Sequence, residues 1–303
     1  VFCDIIFAMN RKIDYKINEN DTGKTVESFL KEHGYTHQVL VRLKQTDHGI
    51  LRNGIWAYTN ERLCKDDLIT VQIVENECSD NISPVNLPLD IAYEDDDIIV
   101  INKPFDMPAH PSAGNHDNTL ANALMYYYGS QNKPFVYRCI NRLDRDTTGL
   151  TIVAKHALAG GILGNAVAKR AIHRTYYAVC SGCTPAYMRI SAPIARKDAS
   201  TIERCVDFKR GENAVTDFIR IKYNPDNNLS LVKLRLLTGR THQIRVHMKY
   251  IGFPLIGDFL YNPDYTYISR QALHSGRLVF THPVTGQKMN LISDIPSDMK
   301  SLF

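Results

Sequence analysis

The chain has 303 residues, 44% apolar and 22% charged, the composition of an ordinary soluble protein long enough to bury a large core. No uninterrupted apolar run approaches the roughly 18 to 20 residues that cross a bilayer, and the first residues lack the basic-then-apolar pattern of a secretion signal; the expectation is a cytoplasmic protein without a membrane partner. Net charge is +4 but unevenly spread: residues 1–90 hold 10 basic against 14 acidic side chains (−4), and residues 91–303 hold 26 against 18 (+8), so the larger segment is the candidate for a polyanionic partner.

No function is assigned to Val1–Asn10. Ile13 to Ile17 alternates apolar and polar residues as a half-exposed strand does, Thr25 to Leu30 has the form of a capped helix start, and Asp67 to Val74 closes the segment as a second strand. These predict a small N-terminal α+β module over residues 1–78. Glu75 to Pro88, with two prolines and several Asn, Ser and acidic residues, has the composition of a linker, placed at 79–90. Residues 91–303 form the main domain.

Within it, Ile98 to Asn102 predicts a strand, Thr119 to Tyr128 a helix, Leu150 to Ala154 a buried strand and Ala157 to Ala171 a helix interrupted by glycines. Tyr176 to Cys180, Ala214 to Tyr223 and Leu229 to Leu237 predict further strands, and Thr241 to Tyr250 a helix. Helices interspersed with strands that alternate like antiparallel ones predict an α+β protein with a mixed, largely antiparallel sheet.

The seven cysteines, Cys3, Cys64, Cys78, Cys139, Cys180, Cys183 and Cys205, are odd in number and scattered, which predicts reduced thiols. Cys180 and Cys183 lack the second Cys or Cys/His pair that a structural zinc needs, and His242 and His247 lie five apart, off the spacing that puts two ligands on one helical face. Neither a metal nor a cofactor is expected.

The segment richest in chemistry is Ile140-Asn141-Arg142-Leu143-Asp144-Arg145-Asp146-Thr147-Thr148-Gly149-Leu150, charged residues packed just before an apolar strand. A loop there can project a carboxylate into a cleft while neighbouring cations keep it ionised. From charge pattern alone, the same residues read first as a solvated turn with weak surface ion pairs.

Arg142-Leu143-Asp144 followed by Thr147-Thr148-Gly149-Leu150 resembles the H-R-L-D-x-x-T-S-G-L signature of the RluA-type pseudouridine synthases. Five further segments match in order: Asn102-Lys103-Pro104-Phe105-Asp106-Met107-Pro108-Ala109-His110-Pro111, Arg174-Thr175-Tyr176-Tyr177-Ala178-Val179, Leu237-Thr238-Gly239-Arg240-Thr241-His242-Gln243-Ile244-Arg245-Val246-His247-Met248, Ile251 to Asp258, and Leu273 to Leu278 with Thr281 to Gly286. The resemblance implies the family's catalytic fold with a central cleft, and isomerisation of uridines in structured RNA, with ribosomal large-subunit RNA the first choice and transfer RNA the second. A monomer is the default.

Carried over residue by residue, Asp144 becomes the essential aspartate, which either attacks the anomeric carbon or stabilises its charge as the bond to uracil breaks. Arg245 pairs with it and Tyr176 sits beside the flipped base or ribose, while Tyr177 points to the opposite face. Because a stacked uridine cannot react in place, base flipping is expected. Arg142 either fills the vacated stack, contacts phosphate or forms a structural ion pair. Lys103, Arg145, Arg174, Arg240 and His242 are further RNA-binding candidates, and Arg138, Lys169, Arg170 and Lys249 also fall on the expected RNA path.

The sequence departs from the pattern at Asn141 in place of His, Thr148 in place of Ser, Arg174 in place of Lys and Asp106 in place of Gly. The last matters most, since a glycine position can demand positive φ. The N-terminal module loosely resembles an alpha-L RNA-binding domain, again with Asp66 in place of Gly; with its negative charge it either binds RNA or serves another contact. Two competing readings are a non-catalytic RNA-binding or ribosome-assembly protein, and a glycoside hydrolase in which Asp146 would be the second acid.

Overall fold

A computed structural model describes residues 9–112, 114–198, 200 and 202–303; the unassigned stretch as far as Ala8, with Cys3, lies outside them. At the N-terminus, β1 (Met9–Lys16) pairs antiparallel with β4 (Leu68–Glu75), and β2 (Ile50–Arg52) and β3 (Ile55–Trp56) complete a four-stranded sheet of order β1-β4-β2-β3. α1 (Val26–Glu32) begins where the Thr25 hydroxyl accepts from the Ser28 N–H, and α2 (His37–Gln45) where Thr36 accepts from Val39, each cap satisfying a first-turn donor that has no partner within the helix. The sequence did not single out α2. Its apolar stripe is only Val39, Leu40 and Leu43, which close over Ile50, Ile69 and Val71 of the sheet.

The module is bolted to the rest of the chain. Arg11 on β1 forks onto Asp97, Nε to Oδ1 at 2.7 Å and Nη2 to Oδ2 at 3.1 Å, and His156 approaches the same Oδ1 at 2.9 Å. Glu75, 3% exposed at the end of β4, takes Arg138 on both oxygens and the Ala157 N–H on Oε1 at 2.7 Å. Leu158 and Ile162 of α4 (Ala157–Ala168) enter the module's apolar core. Gly34, at φ +88° in the left-handed region, lies against Ile162 and leaves no room for a Cβ beside that side chain. Residues 76–90 hold no helix or strand, yet they are no free tether: Ser79 N–H bonds Phe135 O, Val85 N–H bonds Asn122 O, and Ile82, Leu87 and Leu89 pack against the main core.

The main domain is built on a ten-stranded sheet. Its elements are β5 (Ile91–Glu94), β6 (Ile98–Lys103), α3 (Leu120–Gly129), β7 (Arg138–Cys139), β8 (Thr148–Ala154), α4, β9 (His173–Ser181), β10 (Tyr187–Ser191), β11 (Ile194–Arg196), β12 (Arg204–Val206), β13 (Val215–Asn224), β14 (Leu229–Leu236), α5 (Gln243–Tyr250), β15 (Leu273–Thr281), β16 (Lys288–Ile292) and α6 (Ser297–Lys300). The order is β10-β13-β14-β9-β15-β8-β6-β5, with β16 on β15 and β7 on β8; β11 and β12 form a separate pair. Pairing is antiparallel except at β15 and β8, where His274 faces Thr148 and Ser275 faces Gly149 in parallel. Gly149 has φ +106°, and any Cβ there would strike the Ser275 backbone, which is why the Thr-Thr-Gly turn ends in glycine.

Two helices are shorter than the sequence pattern predicts. α4 stops at Ala168 because Arg170 turns left-handed at φ +59°, and α5 starts only at Gln243 because His242 is itself left-handed at φ +56°. Both aspartates that stand where glycine is usual also sit at positive φ, Asp66 at +67° and Asp106 at +53°, a conformation Asp tolerates better than most residues.

Candidate active site

A cleft of about 1100 Å³ opens between the two halves of the sheet, bounded by the loop from Ile140 to Thr147, the end of α4, the start of β9 and the turn from β14 into α5. Asp144, Tyr176, Arg245, Arg142, Arg145, Arg174, Arg240 and His242 all line it. Arg170 does as well, with Arg204 and Arg235, which sequence reasoning passed over. Eight arginines and a single carboxylate, Asp144, therefore line this cleft among the described residues. Arginine presents a rigid fork suited to phosphate oxygens, so the wall fits a polyanion.

Arg245 organises the floor. It is 2% exposed, on the first turn of α5, and forks onto Asp258 through Nε and Nη2, both at 2.7 Å. Its remaining arm, Nη1, donates to Asp144 Oδ2 at 2.8 Å. Burial works against its charge, but the bonds to Asp258 and the field of Asp144 outweigh it and raise its pKa. The rings of Tyr261 and Phe259 face the guanidinium at 5.0 and 5.3 Å. Asp258 is fully buried and was quoted in the sequence only as the end of a matching run; no local signal marks it as the anchor of an arginine 13 residues upstream. Among the described residues nothing donates to Asp144 Oδ1, so one oxygen of the carboxylate is held and the other is open to the cleft.

The loops that carry these groups are locked by buried polar side chains. Gln243 uses both ends of its amide: Oε1 accepts from the Thr238 hydroxyl and the Arg240 N–H, and Nε2 donates to Val215 O and the Thr216 hydroxyl. His247, which burial keeps low in pKa, spans Thr216 Oγ1 and Ala192 O and belongs to the same lock. Asn141, in place of the usual His, bonds Leu150 O and the Ile152 N–H across the loop, and Thr148 Oγ1 meets His274 Nδ1 at 2.9 Å. Tyr176 packs beside Leu143 and Ile244 under the cleft, whereas Tyr177 joins the core on the other face of the sheet.

Four cations expected on the RNA path, Lys103, Arg138, Lys169 and Lys249, do not line the cleft. Lys103 is 1% exposed and does not reach the cleft: its Nζ donates to Pro104 O, Met107 O and Arg145 O at 2.7 to 2.8 Å, tying the loop after β6 to the loop of Asp144. Burial pushes this amine down to about 7 against the pull of Asp146 and Asp144, but three carbonyl acceptors call for three N–H donors and favour the ammonium. Arg138 is likewise spent on Glu75 at the junction with the N-terminal module. Lys169 and Lys249 do not line the cleft, and Lys249 Nζ instead lies 5.5 Å from the Tyr261 ring. Of the remaining candidates, Arg145 bonds Asp146 at 3.2 Å and Arg240 pairs with Glu212 at the rim. Asp146 is thus engaged by Arg145 and does not line the cleft, so the paired-carboxylate hydrolase has no second acid there.

Residues 97–250 match the family described as RNA pseudouridylate synthase. The chain is 41% identical over 304 residues to the ribosomal large subunit pseudouridine synthase D of Haemophilus influenzae, covering 95% of this chain and 93% of that protein. It is 38% identical over 281 residues to the uncharacterized RNA pseudouridine synthase YjbO of Bacillus subtilis, covering 92% and 98%. Among solved structures, human RNA pseudouridylate synthase domain containing 1 superposes with a TM-score of 0.58 at 26% identity, over 68% of this chain and 83% of that one. On the ordered sequence matches, the fold and these likenesses together, the chain belongs to the RNA pseudouridylate synthase family, isomerases that act on RNA.

Proposed function

We propose that this enzyme isomerises specific uridines of structured RNA to pseudouridine, that large-subunit ribosomal RNA is its substrate, and that Asp144 is its catalytic carboxylate. The observation that carries the reading is the half-held aspartate: Oδ2 is fixed by a buried arginine and Oδ1 is open, in a cleft where it is the one carboxylate among eight arginines of the described residues. The choice of RNA is supported by relatives named ribosomal large subunit pseudouridine synthase D, 36% to 41% identical over most of the chain.

The reaction breaks the bond from the anomeric carbon to N1 of uracil and forms one to C5; the C5 proton leaves and N1 regains one, so no net redox change occurs. Positive charge develops on the sugar as the first bond breaks, and an oriented carboxylate stabilises it, whether by electrostatics or by covalent attack. Arg245 holds Asp144 by Oδ2 and aims it, and Tyr176 borders the freed base. The uridine must leave its stack to reach Asp144, and Arg142 either fills the vacated place or grips the backbone beside it. Pseudouridine mapping in RNA from cells with and without the protein tests the reading. Loss of specific sites in large-subunit ribosomal RNA is expected; loss in transfer RNA alone would move the substrate to the second choice, and unchanged maps in both would overturn the proposal.

A further inference from the structure

His242 sits at the mouth of α5 in a left-handed backbone conformation that a β-carbon makes costly, at φ +56° and ψ +19°. Such a conformation is held only where the surroundings over-determine it, and here they do so through the ring. Its Nδ1 lies 3.0 Å from the Tyr261 hydroxyl. That hydroxyl oxygen already accepts the Arg204 N–H at 2.9 Å, so its own proton must go elsewhere, and among the described residues His242 Nδ1 is the acceptor within reach. Nδ1 is therefore the acceptor and Nε2 carries the hydrogen. Nε2 in turn lies beside the carboxylate in the cleft lining, 3.8 Å from Asp144 Oδ2, the oxygen that Arg245 holds, and too far to bond it. An accepting Nδ1 belongs to a neutral imidazole, and burial, partly offset by Asp144, lowers the pKa of the ring in the same direction.

We propose that His242 acts in the isomerisation as a fixed neutral donor, its Nε2–H bonding the 2′-hydroxyl next to the anomeric carbon of the target uridine, with Tyr261 as the positioning residue that sets its tautomer. This rests on the reading of Asp144 as the catalytic carboxylate, since a group near 4 Å from that carboxylate faces the substituents of the carbon it serves. A neutral donor suits the place better than a cation would, because an imidazolium would close onto Asp144 and quench the charge the reaction needs. The 2′-hydroxyl also distinguishes RNA from DNA, so the same contact would select for ribose.

Nitrogen-15 histidine NMR of the full chain tests the tautomer, with the His242 signals assigned by their loss in His242→Gln. Protonation at Nε2 alone near pH 7 is expected, with the preference weakened in Tyr261→Phe; protonation at Nδ1, or an unchanged pattern in Tyr261→Phe, would overturn the relay. Tritium release from ribosomal RNA labelled at C5 of uridine, taken from cells lacking the protein, tests the donor. His242→Leu should lower turnover at saturating RNA about 100-fold with KM changed less than about threefold, and His242→Gln, whose amide restores an N–H, should recover at least tenfold of that. A raised KM at full turnover would mark a mere phosphate contact, and equal loss in the Leu and Gln variants a structural role; either result sinks the proposal. Asp144→Asn run alongside separates this failure from that of the parent reading: full activity there means that Asp144 is not the catalytic group, whatever His242 does.

Discussion

Two clusters of arginine and carboxylate in this protein use the same chemistry for opposite ends. At the module junction, Arg11 and His156 saturate Asp97, and Arg138 with the Ala157 N–H saturates Glu75, leaving each carboxylate with a donor on both oxygens. In the cleft, Arg245 gives two arms to the fully buried Asp258 and one to Asp144, which keeps its second oxygen. A saturated carboxylate has nothing left for a ligand and serves as a clamp, whereas a half-saturated one is a site. Strength of pairing does not separate the two clusters; the unspent acceptor does.

That contrast is broken first at its most heavily loaded point. Arg245→Met should strand Asp258 as an unpaired buried charge, costing about 3 to 5 kcal/mol of stability by urea unfolding and nearly all activity. Arg11→Met leaves Asp97 with His156 and should cost about 2 to 3 kcal/mol, seen as earlier proteolysis of the N-terminal module, while tritium release from RNA stays within about threefold of wild type. Loss of catalysis with Arg11 would show that the junction does more than clamp.

Acid acts on the junction carboxylate Asp97. Burial alone would raise the Asp97 pKa, but His156 and Arg11 outweigh it and hold the group well below the usual carboxylate range. A depressed folded-state pKa gives stability that is complete above the unfolded value of about 3.9 and is lost as pH falls through the folded one. The melting difference between wild type and Asp97→Asn should therefore be constant from neutral pH to about 5 and shrink only below about 4. The smallest effect is expected from Arg142→Ala, an exposed cleft residue: weaker RNA binding by about tenfold and a salt dependence of binding reduced by about one phosphate contact, measured by filter binding across salt concentrations.

Much of the site was legible because its residues lie in contiguous runs: Asp144, Tyr176 and Arg245 could be named from segments that each span about ten residues, and all three reach the cleft. What escaped depends on pairings across long stretches of chain. Lys103 resembled a surface cation because nothing local reveals that Arg145, 42 residues later, brings a carbonyl to its amine. Arg138 was misplaced for the same reason, its partner Glu75 being 63 residues upstream in the other module. Asp258 is a lone acid after a glycine, and its task exists only once α5 packs over it. Most of the predicted strands and helices in the main domain formed within a few residues of their expected bounds, and the two late or early helix ends trace to single left-handed residues, His242 and Arg170, that hydrophobic period cannot report.

If the open oxygen of Asp144 carries the chemistry, single-turnover tritium release from C5-labelled ribosomal RNA by Asp144→Asn will collapse. The substitution keeps the shape and leaves Arg245 its bonds to Asp258, so the melting temperature should hold within a few degrees while the rate falls at least about 1000-fold, some 4 kcal/mol of barrier. A rate within tenfold of wild type in a folded Asp144→Asn protein would contradict it.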